Sequence, residues 1–228
     1  MRSRGVTFVP LEVTTDDASL IDGVYDYAVT DRYIYVLPVK EPRIVLFDRQ
    51  GRFIRTLVKE GQGPGEFRGI LPCIQVDERN DRLFLFSNNR VWEYTLEGEF
   101  IGQSTHEYSV IYMRHIGKDR FAAISFPFQP FNGGGFGLGL FSRKGDTIAI
   151  KNDFYSFLLP HEKSGFTTSI APAYSDAQNS VLFKTGSNDT VFCISADRIS
   201  AACVLDLKNS DAEVIRSLDV TDMSNLRI

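Results

Sequence analysis

From Arg43 to Phe67 the chain reads RIVLFDRQGRFIRTLVKEGQGPGEF. Four consecutive apolar residues, Ile44 to Phe47, are bounded by a polar turn and followed by a second apolar run. A short uninterrupted apolar run between turn signals fits a strand buried on both faces. A four-residue turn ending in glycine fits a tight hairpin, because glycine takes positive φ without steric cost. The phrase recurs. Turn glycines stand at Gly51 in FDRQGRFI, Gly98 in YTLEGEFI and Gly145 in FSRKGDTI, 47 residues apart each time. An aromatic residue precedes each by four positions (Phe47, Tyr94, Phe141), and an isoleucine follows each by three (Ile54, Ile101, Ile148).

A further strand precedes each hairpin: YIYVL at 33–37, LFLF at 83–86 and FAAI at 121–124. Polar turns come before those strands, at 30–32 (TDR), 77–81 (DERND) and 117–120 (GKDR), and another apolar run comes before each turn. Each unit thus holds four short antiparallel strands. A fourth, degenerate copy runs from Thr168, with Arg198 where the turn glycine would stand. Four-stranded units repeating at this spacing predict an all-β fold, a β-propeller of four-stranded antiparallel blades. The blades fall at about 22–58, 69–104, 109–150 and 168–207 of a single domain. A β-sandwich shares the turn spacing but does not require the 47-residue recurrence. Only DAEVIRSL, at 211–218, reads as helix.

The run FVPLEVTTDDASLIDGVYDYAVTDRYIYVL, then RIVLFDRQGRFIRTL, then GQGPGEF, resembles bacterial six-bladed β-propeller proteins of the NHL-like kind, many of them envelope lipoproteins. Gly61, Gly63, Pro64, Gly65, Glu66 and Phe67 match the corner that precedes the second blade in that family. The resemblance implies six blades where four are legible here. It also implies that an N-terminal strand, VTFVPLEV, completes a last blade, and that the protein acts in the periplasm or at the cell surface. On this reading the chain is a partial form whose open blade edge favours self-association.

Composition narrows the partners. The apolar content of 43%, with 18 Phe and 9 Tyr, supplies a sizeable core suited to strands. A net charge of -4 with scattered Lys and Arg argues against a nucleic-acid surface. No apolar run is long enough for a membrane span or for the core of a signal peptide, which leaves a cytoplasmic location open as well. Cys73, Cys193 and Cys203 show no metal spacing and read as small buried strand residues, with a Cys193–Cys203 bridge as the alternative.

In an antiparallel meander alternate connections share an end. The hairpins at Gly51, Gly98 and Gly145 therefore lie with the polar turns, and the long irregular loops gather at the opposite end: 38–42, 61–67, 87–90, 126–137, 152–166 and 186–189. Binding loops cluster in this way on rigid scaffolds. Asn88, Asn89, Arg90, Gln129, Asn132, His161 and Lys163 are the side chains there with the chemistry to hold a solute. GQGPGEF lacks the Lys-Ser/Thr of a P-loop and reads as a rigid corner in which Glu66 caps backbone amides. The three histidines, His106, His115 and His161, have no pattern of Asp or Glu that would orient them as metal ligands; only His115 and His161, one blade apart, have a spacing that could converge. Two functions follow: a non-catalytic binding or scaffold propeller for a glycan, peptide or protein, with no cofactor; or, because some related propellers are metal-dependent, a metal-dependent lyase or hydrolase.

Overall fold

A computed structural model describes residues 8–15, 18–68, 73–87, 89–107, 110, 112–124, 128–129, 137–151, 157–158, 171–175, 179–184 and 190–205. Among them are four antiparallel four-stranded sheets, so the fold is all-β and propeller-like. The first sheet is β1 (Val24–Val29), β2 (Tyr33–Pro38), β3 (Arg43–Asp48) and β4 (Phe53–Lys59). The second is β5 (Cys73–Asp77), β6 (Arg82–Ser87), β7 (Arg90–Tyr94) and β8 (Phe100–Thr105). The third is β9 (Tyr112–His115), β10 (Arg120–Ile124), β12 (Leu138–Ser142) and β13 (Thr147–Lys151), with β11 (Phe128–Gln129) inserted between its second and third strands. After β14 (Phe157–Leu158), the fourth sheet is β15 (Ala171–Ser175), β16 (Ser180–Lys184), β17 (Thr190–Ser195) and β18 (Ile199–Val204). The expected helix at 211–218 lies outside the described residues.

The repeated hairpins share one hydrogen-bond scheme. Asp48, Thr95 and Ser142 donate their amides to the carbonyls of Arg52, Glu99 and Asp146, and each turn glycine donates back to the first residue of the turn. The side chains of Asp48, Thr95 and Ser142 also accept the amide four residues on. Gly51, Gly98 and Gly145 all have positive φ, as a three-residue loop with a following bulge requires. The fourth hairpin differs from the sequence expectation. Ser195 donates to Arg198, three residues on, and Ile194 faces Ile199. The loop is therefore one residue shorter. The glycine is deleted, and Arg198 does not replace it.

The chain divides into two compact units, 1–104 and 105–228. In the first, the facing sides of its two sheets form one core. Tyr35, Leu37, Ile44 and Leu46 pack against Ile74, Leu83, Leu85, Trp92 and Tyr94. Each side chain of this size, fully buried, contributes about 1.5–3 kcal/mol. On the other side of the first sheet, Val36, Val45 and Phe47 pack with Ile34 and Phe53 of the same sheet and are covered by Leu11 and Ile21. Asp26 accepts the Ile74 amide at 2.7 Å, and Glu78 accepts from the Asp31 amide and the Arg32 guanidinium, so polar bonds tie the two sheets at both ends.

The segment 8–14 contains no strand, contrary to the expectation for VTFVPLEV. It still occupies a defined station. The Pro10 carbonyl lies against the Cα of Gly51, the Glu12 amide donates to the Gly51 carbonyl, and Glu12 Oε2 accepts the Phe53 amide. Gly98 meets Leu57 of β4 in the same way, and Gly145 meets the Thr105 carbonyl at the end of β8. Pro10 thus stands where the outermost strand of a preceding sheet would stand.

In the second unit, Ile116, Ala122, Ile124, Leu138 and Leu140 pack against Val181, Phe183, Phe192 and Ile194 of the fourth sheet. All three cysteines are free and lie in strands. Cys73 and Cys193 are half-buried, but Cys203 is exposed, against the buried reading. Cys193 faces Ser200 and Cys203 faces Val191, so neighbouring strands hold the two thiols out of register for the bridge.

Candidate functional site at the loop-bearing ends of the sheets

The antiparallel meanders place the β2–β3 and β6–β7 connections and the chain leaving β4 at the end opposite the glycine hairpins. In the first unit this end is built from three pieces. The first is the loop 39–42, fixed by its neighbours: Lys40 donates its amide to Asp22 Oδ2, Val39 donates to the Gly23 carbonyl, and Glu60 donates to the Pro42 carbonyl. Arg43 is held between Glu41, at 2.7 Å, and the Leu20 carbonyl, at 2.8 Å.

The second piece is the Gly61–Phe67 corner. Phe67 is fully buried and meets Trp92 edge-on with ring centres 6.4 Å apart, which anchors the corner to the core. Glu60 and Phe67 form a parallel bridge, the Gly61 amide donates to the Phe67 carbonyl, and Glu66 donates to Gly63. Glu66 Oε2 accepts the Gly63 amide at 2.8 Å, as its expected capping role requires. A side chain at Gly61 would overlap the Glu66 carboxylate, and one at Gly65 would meet Phe100. The amides a phosphate would need at Gly61 and Gly63 are already engaged. The corner closes on itself and positions the loops around it.

The third piece is the β6–β7 hairpin. Ser87 pairs with Arg90, Asn89 is half-buried at the tip, and Asn88 lies outside the described residues. Lys40 pairs with Asp22, Arg43 with Glu41 and Lys59 with Glu66, while Arg68 donates to the Gly61 carbonyl. Arg90 is exposed and forms no ion pair among the described residues. Its guanidinium is the described cation at this end free to meet a carboxylate or a sugar hydroxyl.

In the second unit the structure adds something the sequence did not signal. β11 and β14 form a two-stranded parallel sheet, with Phe128 opposite Phe157 and Gln129 opposite Leu158. Gln129 therefore lies in a short strand, whereas the sequence reading placed it in a loop. The ladder joins the 126–137 and 152–166 loops at one end of the third sheet. Asn132, His161 and Lys163 lie outside the described residues.

His115, in β9, is buried beside Phe121 at 5.4 Å between ring centres. His106 packs on the other contacts of that ring, 6.1 Å from Phe121 and 5.2 Å from Phe141. Burial pushes the His106 imidazole down to about 4, so it is neutral at physiological pH. Among the described residues no group of three His, Cys, Asp or Glu side chains has metal-binding geometry. Burial, and then Asp26, pushes the Cys73 thiol up to about 11, which leaves it a poor nucleophile at neutral pH. β1, the apolar run expected before the 30–32 turn, is largely exposed, and its Tyr25 and Tyr27 offer aromatic surface that the sequence reading assigned to no site.

The fold is shared with solved structures. A protein of Bacteroides fragilis NCTC 9343, inferred to be exported, aligns with a TM-score of 0.62 at 18% identity, over 85% of this chain and 54% of its own. A member of the DUF4221 family from Bacteroides vulgatus ATCC 8482 aligns at 0.54 and 11% identity, over 83% of this chain and 60% of its own. The chain thus spans between half and two-thirds of either structure. A search of curated proteins found no match. The sequence itself matches a family model over residues 4–225, and the chain belongs to that family, described as a domain of unknown function, DUF4934.

Proposed function

We propose that the protein is a non-catalytic binding or scaffold module of the bacterial cell envelope, part of a larger six-bladed, NHL-like propeller, which holds a glycan, peptide or protein on its loop-bearing ends. The observation that carries this reading is the β11–β14 ladder, which joins two long loops at one end of a rigid sheet. The pairing fixes the backbone of Phe128–Gln129 against Phe157–Leu158 before a ligand arrives, so less binding free energy is lost to ordering those segments. Arg90 and Asn89 in the first unit and Gln129 in the second are the described members of the candidate set. Asn88, Asn132, His161 and Lys163 complete the candidate set. The inferred export of the Bacteroides fragilis protein supports the envelope assignment.

The test is a screen of the purified chain on glycan and peptide arrays, followed by calorimetry with each hit. Arg90→Ala or Gln129→Ala should weaken a genuine hit by about tenfold, the equivalent of about 1.4 kcal/mol, without lowering the melting temperature. Stoichiometric zinc or calcium in the purified protein, lost with His115→Ala, would overturn the reading in favour of a metal-dependent lyase or hydrolase.

A further inference from the structure

We propose that the protein self-associates by pairing the outer edge of β18 with the same edge of a second copy, antiparallel, across a two-fold axis. This surface is a strand edge, and the inference stands independently of the binding reading above.

β18 is the last strand of the fourth sheet, and among the described residues no strand pairs with its outer edge. Its sequence, ISAACV, has no charge and no proline, and residues 201–204 are all exposed, Val204 at 71%. Exposed edges are ordinarily protected by charge, proline, bulges or cover. The other outermost strands have such protection. β4 carries Arg55 and Lys59, and β13 carries Lys151. β8 is uncharged, but Phe100 lies against Gly65 of the corner and the Thr105 carbonyl against the Gly145 turn. Next to their hairpins β4 and β13 also carry a bulge, at Ile54 and Ile148. The shortened fourth hairpin removes that bulge, so β18 runs in regular register from Ile199 to Ala201. One bulge remains, at Ala202.

The charge pattern selects the occupant. An antiparallel pairing about a two-fold axis sets residue i of one copy against residue j of the other, so a charge near the axis comes close to its own copy. Arg55, near the middle of β4, would come close to its own counterpart in such a pair and repel it. β18 has nothing to repel, and Ser200, Ala201 and Ala202 are small enough for two sheets to come together without steric conflict.

Light scattering of the full chain under reducing conditions, over a dilution series, should show a dimer. Ala202→Lys should move its dissociation to a concentration at least about tenfold higher, which corresponds to about 1.4 kcal/mol. Mixing Ala202→Lys with Ala202→Glu should restore the dimer mass. If Ala202→Lys fails to fold, Val204→Lys, at the exposed end of the strand, takes its place. Amide exchange should slow at β18 as concentration rises. A monomer at every concentration would overturn the proposal, as would a dimer indifferent to both lysines. Slow exchange at β18 in a monomeric species would also overturn it, since another segment of the same chain would then cover the edge.

Discussion

His106 shows most plainly how one buried side chain sets a property of the protein. Its imidazole is buried between Phe121 and Phe141, and burial holds it near 4, against an ordinary value of 6.5. In the unfolded chain it titrates at the ordinary value. The folded state is therefore fully favoured above pH 6.5 and loses that advantage as the pH falls towards 4, where the loss levels off. Urea denaturation at stepped pH should show this fall, and His106→Leu should flatten it between those limits. The glycines make a second case. Gly51→Ala forces a Cβ into the Pro10 carbonyl at positive φ, whereas at Gly102 nothing lies within 4 Å. The first substitution should cost about 1–3 kcal/mol. Gly102→Ala should be neutral or slightly stabilising, and midpoints of chemical denaturation separate the two.

At the scale of elements, the corner and the hairpins behave differently under mutation. Phe67 ties the Gly61–Phe67 corner to Trp92, so Phe67→Ala should lower stability by about 3–5 kcal/mol. Glu66→Ala removes the exposed cap on the Gly63 amide and a long, solvent-exposed ion pair with Lys59, and should cost about 1 kcal/mol. Thermal melts of both variants check the ordering. Hairpins and corner were legible in the sequence because their signals are local: a glycine, an acceptor side chain and an apolar flank within five residues. The fourth hairpin misled because deleting the glycine brings Arg198 into its column, and only strand register distinguishes deletion from replacement. The β11–β14 ladder left no sequence signal, since two-residue strands have too few positions to show a period.

For the whole molecule, the cores of both units are built from hydrophobic side chains on facing sheets. Folding should therefore be independent of metal: dialysis against a chelator should leave the thermal melt unchanged, and a drop in melting temperature would point to a bound ion the sheets depend on. The 47-residue recurrence determined the number of sheets, their strand order and the sorting of connections to two ends, because alternation and turn chemistry act between near neighbours in the chain. Tertiary structure decided which surfaces those sheets cover. Contacts between residues far apart in sequence bury His106, leave Cys203 and the β18 edge exposed, seat Pro10 on Gly51 and join the 126–137 loop to the 152–166 loop. Local pattern cannot specify such contacts, since the same apolar strand fits a covered face and an open one equally well.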